Sequence, residues 1–338
     1  MILGERRRTV LKVIVEDYIT GAIPVASRAL VDKRGLKVSP ATIRNDMAYL
    51  EQEGYITHPY HSAGSVPTDK AYRYYVESMG ESVELSLGER YFINQLLQET
   101  KEELERWLKL VAAFLARFVD NMTVITSPKV LNCRLRHLDL VSLQDFMVLM
   151  VSVLYGAKVR RRVLAFEKKV SQDDLTKIAN KLTIDFAGRT RNEILARKEG
   201  LSSEEKHVAE SLAEIIAVED RLEYGEPYFE GLRLMLGQPE FAAGSEILNI
   251  LEVLEGEAWL RGIYCRELGK GEVKVIIGEE NPEPALQDLS LIVSRYGMTG
   301  RASGIVGVIG PKRMDYAKTI SSLNCLSVLL SNSVAEYV

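Results

Sequence analysis

The sequence predicts an α+β multidomain protein: an N-terminal winged helix-turn-helix, then a mixed α/β domain holding an inserted helical subdomain. Three observations predict it. Three short capped helices lead into a strand and a loop punctuated by proline and glycine. Period-two, β-branched text fills Val124 to Phe166 and returns toward the C-terminus. Between those strand sets lies a polar, acidic helical block from Ser171 to about Leu222.

The first helix is expected from about Arg7 to Ile19, with Gly21 at its C-cap and Pro24 preventing resumption. Ser27 can cap a second helix, "RALVDKR", which Gly35 ends. After a short turn, Ser39 caps a third helix with Pro40 at its first position, where a missing N–H costs nothing. Ile43, Met47 and Leu50 recur at i, i+4 and i+7 as one buried stripe, and Gly54 stops the helix. This is helix-turn-helix spacing. "YITH" reads as a strand, and Pro59, Ala63-Gly64 and Pro67 mark an extended wing loop. Thr68 then caps a helix out of the domain, with Tyr72, Tyr75, Val76 and Met79 on one face.

Ser86 and Glu89 form a capping box ahead of a long helix to about Asp120. Ile93, Leu97, Thr100, Leu104, Trp107, Val111, Phe114 and Phe118 alternate four and three apart, the spacing of a coiled-coil dimer seam. Phe92, Leu96, Leu108 and Leu115 widen the stripe, as in a helix packed on its own domain's sheet. "RLRHLDLVSL", "FMVLMVSVL" and "KVRRRVLAF" follow as an antiparallel meander with turns at Gln144-Asp145 and Tyr155-Gly156-Ala157. The helical block carries caps at Ser171 and Ser202. Strands resume near Phe229–Leu236, then a helix over Glu246–Glu255, strands at "EAWLRGIYCREL", "GEVKVIIG", "LSLIVSRYG" and "SGIVGVIG", and a last helix from Asp315 to about Leu330.

A chain of 338 residues, 46% of them hydrophobic, supports two or three packed domains at roughly 150 residues each. Its three cysteines (133, 265 and 325) are far apart and include no Cys-x-x-Cys, so neither a disulfide framework nor a zinc site is expected. "TVLKVIV" after Arg6-Arg7-Arg8 has the outline of a signal peptide, but Lys12, Glu16 and Asp17 interrupt it. No segment has the ~18 uncharged apolar residues of a membrane span. The expectation is a soluble cytoplasmic protein without membrane attachment.

Residues 1–75 hold eleven Lys/Arg against eight Asp/Glu, net +3, within a chain whose total is −4. A basic front end on an acidic body suits a domain that meets phosphates. Opposite the buried stripe of the third helix lie Ala41, Asn45, Ala48 and Gln52, flanked by Arg44 and Tyr49. Alanines permit close approach to a groove, arginine reads guanine bidentately, and asparagine and glutamine read adenine. Ser39 and Thr42, at the helix start, are placed to meet phosphate. His61, Ser62 and Ser65 of the wing, with Lys70 and Arg73 behind it, are expected as phosphate-positioning contacts. An ordinary solvated helix face has the same composition; the turn, the wing and the local charge favour DNA. One such module buries too little surface for tight specific binding, so a dimer on a palindrome is expected.

Catalytic chemistry finds no support. "ELGKGE" lacks the first glycine and the hydroxyl of a P-loop, and G-x-G-x-x-G and Gly-x-Ser-x-Gly are absent. Gly304, Gly307 and Gly310, three apart in an apolar run, read as a closely packed strand. The four histidines lack metal-site spacing. No enzyme activity and no cofactor or metal is expected.

Ser27 to Val76, "SRALVDKRGLKVSPATIRNDMAYLEQEGYITHPYHSAGSVPTDKAYRYYV", resembles the N-terminal region of the HrcA family, the bacterial heat-inducible transcription repressors. "TSPKVLNCRLRHLDLVSL" and "GIVGVIGPKRMDYAKTISSLNCLSVLLS" resemble later segments of the same family, so the likeness spans nearly the whole chain. It implies a winged helix over residues 1–80, a GAF-like domain over 86–170 and 226–338, and an inserted dimerisation subdomain over 171–225. It also implies a homodimer that represses chaperone operons of the GroE and DnaK classes through a double-stranded DNA inverted repeat, CIRCE, with the GroEL chaperonin supporting activity. Ser65 departs from the basic residue usual at that wing position. The competing expectations are a regulator whose GAF-like domain senses a metabolite, and an assembly protein whose winged helix binds protein.

Overall fold

The computed structural model of the chain describes residues 3–31, 39–60, 63–80, 88, 104–130, 132–155, 158–221, 225–242, 247–256, 259–260, 272–298 and 302–337. It is a mixed α/β structure divided into two compact units. One comprises Met1–Thr126, Pro227–Arg295 and Ile305–Leu329; the other comprises Ser127–Glu226, Tyr296–Gly304 and Leu330–Val338.

The first unit opens with α1 (Glu5–Gly21), α2 (Ser27–Val31) and α3 (Pro40–Gln52). The cap of α1 is Ala22, at φ 50°, and its N–H reaches Tyr18 O at 2.9 Å, so the left-handed turn falls one residue beyond the expected Gly21. Val10, Leu11, Ile14, Leu30, Ile43 and Leu50 are fully buried and form the helical core. The expected turn between α2 and α3, with Gly35, lies outside the described residues. A two-stranded antiparallel pair follows, β1 (Ile56–Thr57) on β2 (Val66–Pro67), then α4 (Asp69–Glu77).

The same unit contains α5 (Leu104–Val119), β3 (Met122–Thr126), β8 (Pro227–Glu230), α9 (Leu232–Leu236), α10 (Ile247–Glu255) and β9 (Val273–Ile277). Trp107, Leu108, Val111 and Leu115 are buried in α5, and Thr123 Oγ1 donates to Ala112 O at 2.9 Å. The described half of the long helix is therefore packed on its own sheet. The expected seam positions Ile93, Leu97 and Thr100, and the capping box at Ser86, lie outside the described residues. Strands β10 (Leu289–Met298) and β11 (Ala302–Pro311) complete the sheet, ordered β8-β3-β11-β10-β9, with β4 (Lys129–Val130) beside the start of β11. Gly307 faces Val293 so closely that a Cβ would stand 2.9 Å from its Cγ1. A Cβ on Gly304 would stand 2.6 Å from the Tyr296 ring. Close packing explains both glycines.

Two strand expectations differ in the residues described. Trp259 and Leu260 are helical and buried, while the rest of the strand expected at "EAWLRGIYCREL" lies outside the described residues. The resumed strand ends at Glu230, because Gly231 at φ 80° turns the chain into α9. The last helix, α11 (Tyr316–Tyr337), runs beyond Leu330.

The second unit holds the meander as its own three-stranded antiparallel sheet, β5 (Leu135–Gln144), β6 (Met147–Leu154) and β7 (Lys158–Ala165). It packs with α6 (Gln172–Phe186), α7 (Arg191–Leu195) and α8 (Ser203–Arg221) around Leu138, Met150, Leu164, Leu182, Phe186 and Leu212. Ser171 and Ser202 cap α6 and α8: each hydroxyl accepts the N–H three residues on at 3.2 Å. Because the meander shares its core with these helices, the unit begins at Ser127, whereas the resemblance places the insertion at 171–225.

Candidate nucleic-acid interface

Helix α3 is built by its ends and its two faces. Ser39 stands at the N-cap with φ −68° and ψ 152°; its Oγ accepts Thr42 N–H at 3.2 Å and lies 2.9 Å from Thr42 Oγ1. At the other end, Gly54 takes φ 74° and releases the chain into β1. Ile43, Met47 and Leu50 are buried as the spacing predicts. Ala41, Arg44, Asn45, Ala48 and Gln52 are all exposed. Two alanines between an arginine and two amides leave a shallow, donor-rich surface.

A fourth residue joins the buried stripe: Asp46, only 1% exposed. A buried carboxylate is costly unless charged donors meet it. Arg6 supplies them, with Nε to Oδ2 at 2.7 Å and Nη2 to Oδ1 at 3.0 Å, and Arg7 adds Nε to Oδ1 at 3.3 Å. The hydrogen bond from Arg6 holds the Asp46 carboxyl below the usual carboxylate range, against the opposite push of burial. The apolar spacing alone does not single out this residue; its sequence signal is an acidic side chain three residues after Ile43 within an apolar stripe, with an arginine run upstream.

Tyr49 is half-buried, and the Arg7 guanidinium carbon lies 3.5 Å from its ring centroid. Arg7 thus grips α3 twice, through Asp46 and through Tyr49. Lys70 is exposed, but its Nζ donates to Glu53 O at 2.7 Å and sits 4.3 Å from the Tyr55 ring centroid. It neutralises the carbonyl end of α3.

The loop between β1 and β2 is anchored on the segment that precedes α2. Val25 and Ser65 exchange backbone hydrogen bonds of 2.8 and 2.9 Å. A Cβ on Gly64 would stand 2.6 Å from the Pro24 carbonyl, so only glycine fits there. His58 Nδ1 lies 3.1 Å from Ala63 O and closes the loop, leaving Tyr60 65% exposed near its tip. His61 and Ser62 lie outside the described residues.

Two expected phosphate contacts need correction. Ser65 is fully buried because the Val25 pairing turns it inward, so its hydroxyl does not face solvent. Arg73 is bound within the chain: Nε meets Glu280 Oε1 at 2.7 Å and Nη2 donates to Val275 O at 2.8 Å. The surface gathered on α3 is therefore Ser39, Thr42, Arg44 and Asn45, with Tyr49 on its flank and Lys70 at its far end. Among the described residues, no group of three His, Cys, Asp or Glu side chains could hold a metal ion, and no helix is long and apolar enough to cross a membrane.

Residues 105–320 match the family model described as HrcA protein C terminal domain. The heat-inducible transcription repressor HrcA of Dehalococcoides mccartyi (strain ATCC BAA-2266 / KCTC 15142 / 195) is 42% identical over 335 residues, covering 99% of this chain and 97% of its own. Its namesake from Herpetosiphon aurantiacus is 37% identical over 341 residues, covering 99% and 96%. A crystal structure described as that of a hypothetical protein superposes over 100% of both chains, with TM-score 0.67 and 24% identity, a likeness of fold.

Proposed function

The chain belongs to the HrcA family of heat-inducible transcription repressors, and from that premise we propose that it reads its operator with α3. On this reading α1 to β2 form a winged helix-turn-helix, and α3 enters the major groove. Arg44 and Asn45 contact base edges there, guanine and adenine being their geometric partners. Ser39 and Thr42 meet a backbone phosphate at the helix start, and Tyr49, His61, Ser62 and Lys70 flank it. The observation that carries the reading is the division of α3, with Ile43, Asp46, Met47 and Leu50 inside and a small, donor-bearing face outside.

The operator is a CIRCE-type inverted repeat governing chaperone operons of the GroE and DnaK classes, and GroEL supports the repressor's activity. The sheet of the first unit is the GAF-like domain. A palindrome calls for two readers, and the inserted unit supplies the pairing as a homodimer. The exposed face of its meander supports this. Val141, Val159 and Val163 are 44–49% exposed and register with Leu149 and Val153 of the central strand. Across one row, Asp139 pairs with Val151 and Val151 with Arg161, placing opposite charges on the two edge strands. A second copy related by a twofold parallel to the strands would set Asp139 over Arg161.

Fluorescence anisotropy with a labelled CIRCE-type palindrome and a scrambled duplex tests the reading. A preference of ~10³-fold or more, steeply reduced by salt, is expected. Equal affinity for both duplexes, with and without GroEL, refutes operator reading.

A further inference from the structure

The reader is bolted to the sheet at two points. On α4, Asp69 Oδ2 accepts Glu279 N–H at 3.0 Å and Oδ1 meets Lys312 Nζ at 3.0 Å. One turn later, Arg73 takes both carboxylate oxygens of Glu280 and the Val275 carbonyl. Tyr72 lies beneath them, 3% exposed, with its ring centroid 5.9 Å from that of Tyr316. The second point is the end of α1, where Ile19 O accepts Arg313 Nη1 at 3.1 Å while Glu240 and Gln238 hold the same guanidinium.

The sheet side is shaped for this clamp. Gly278 sits at φ 53°, and a Cβ there would stand 1.8 Å from Asp69 Oδ2. Glu280 is itself fixed, because its Oε2 accepts Ile277 N–H at 2.9 Å.

Both anchored helices are tied in turn to α3. Thr68, at the start of α4, donates through Oγ1 to Gly54 O at 2.7 Å and Tyr55 O at 3.0 Å, and Lys70 reaches Glu53 O. Helix α1 holds the other end of the stripe through Arg6, Arg7 and Asp46. Any tilt of α4 or α1 on the sheet therefore moves α3.

We propose that Asp69 and Arg73, with Gly278 and Glu280 as their seat, are positioning residues for operator binding: they fix the angle of α3 on the sheet domain and so select the spacing between operator half-sites. The inference rests on the operator-reading function proposed above. One inserted base pair rotates a half-site by roughly a tenth of a turn and moves it about 3.4 Å, enough to misplace a rigidly held helix. A loosened reader follows the displaced half-site.

The test uses the full chain, a lone half-site duplex and a series of inverted repeats whose spacer changes by single base pairs. Wild type should peak at one spacer and fall ~10-fold or more on either side. Arg73→Gln and Gly278→Ala, changed on opposite sides of the clamp, should flatten that profile to within ~3-fold while leaving half-site affinity unchanged. Arg73→Lys, which keeps the charge facing Glu280, should regain part of the discrimination.

A variant profile as sharp as wild type overturns the inference. So does a uniform gain in affinity, which would make the clamp an inhibitory latch. A wild type that binds the half-site but ignores spacing overturns the clamp alone. One that binds no duplex removes the operator reading and this inference with it.

Discussion

Arg6 and Asp46, forty residues apart, meet at 2.7 Å and close the inner side of the helix whose outer side carries Arg44 and Asn45. The contact joins the chain's basic start to a carboxylate that is 1% exposed. Part of the basic excess of the first 75 residues therefore serves the domain's own core rather than a phosphate.

Replacing Asp46 with Ala should destabilise the N-terminal helices by about 1.5–3 kcal/mol, the range for hydrogen bonds to charged groups. Arg6 retains solvent access, with 51% of its side chain exposed, so it is not stranded by the change. Urea unfolding followed by circular dichroism measures the loss. A shift within error of zero would mean the pair contributes nothing.

The same carboxylate makes stability depend on pH. Its value in the fold lies below the unfolded value of about 3.9, chiefly through the Arg6 hydrogen bond. Its contribution is complete above the unfolded value and disappears as pH falls through the lower folded one. Urea midpoints measured from pH 5 to pH 2 should fall less steeply for Asp46→Asn than for wild type. Parallel curves would show that another carboxylate governs acid unfolding.

Gly64→Ala should cost about 1–3 kcal/mol, since the backbone at Pro24 and Val25 must move to admit a methyl group. The paired backbone hydrogen bonds between Val25 and Ser65 should loosen with it. Faster amide exchange at Val25 and Ser65 reports this, and unchanged exchange there would contradict the packing argument.

Val163→Glu places a charge in the exposed apolar face of the meander, where Val163 is 49% exposed. It should weaken self-association without unfolding the unit, whose core lies on the opposite side of the sheet. Light scattering across a dilution series gives the comparison. A dimer as tight as wild type would move the interface elsewhere.

What was legible in the sequence was local. The cap, the proline, the apolar stripe and the stopping glycine of α3 all act within sixteen residues of chain, and the structure shows each. Period-two text with β-branched runs likewise marks β5, β6 and β7. The rest depends on distant partners. Nothing near Arg73 reveals that Glu280 waits 207 residues away, so a basic residue behind a wing read as a phosphate contact. Alternation gives strands but not their packing partners, so the core that the meander shares with α6 and α8 is not visible in the local pattern. Ser65 turned inward because Val25 pairs with it, a contact made by the fold and absent from the local pattern.

The most direct test of the account is the affinity of Arg44→Ala for the cognate palindrome and for a scrambled duplex, measured side by side in one salt. A base-reading arginine should lose ~1–3 kcal/mol on the palindrome and almost nothing on the scrambled sequence. Equal losses on both duplexes would make Arg44 a phosphate contact and contradict the assignment of α3 as the element that reads sequence.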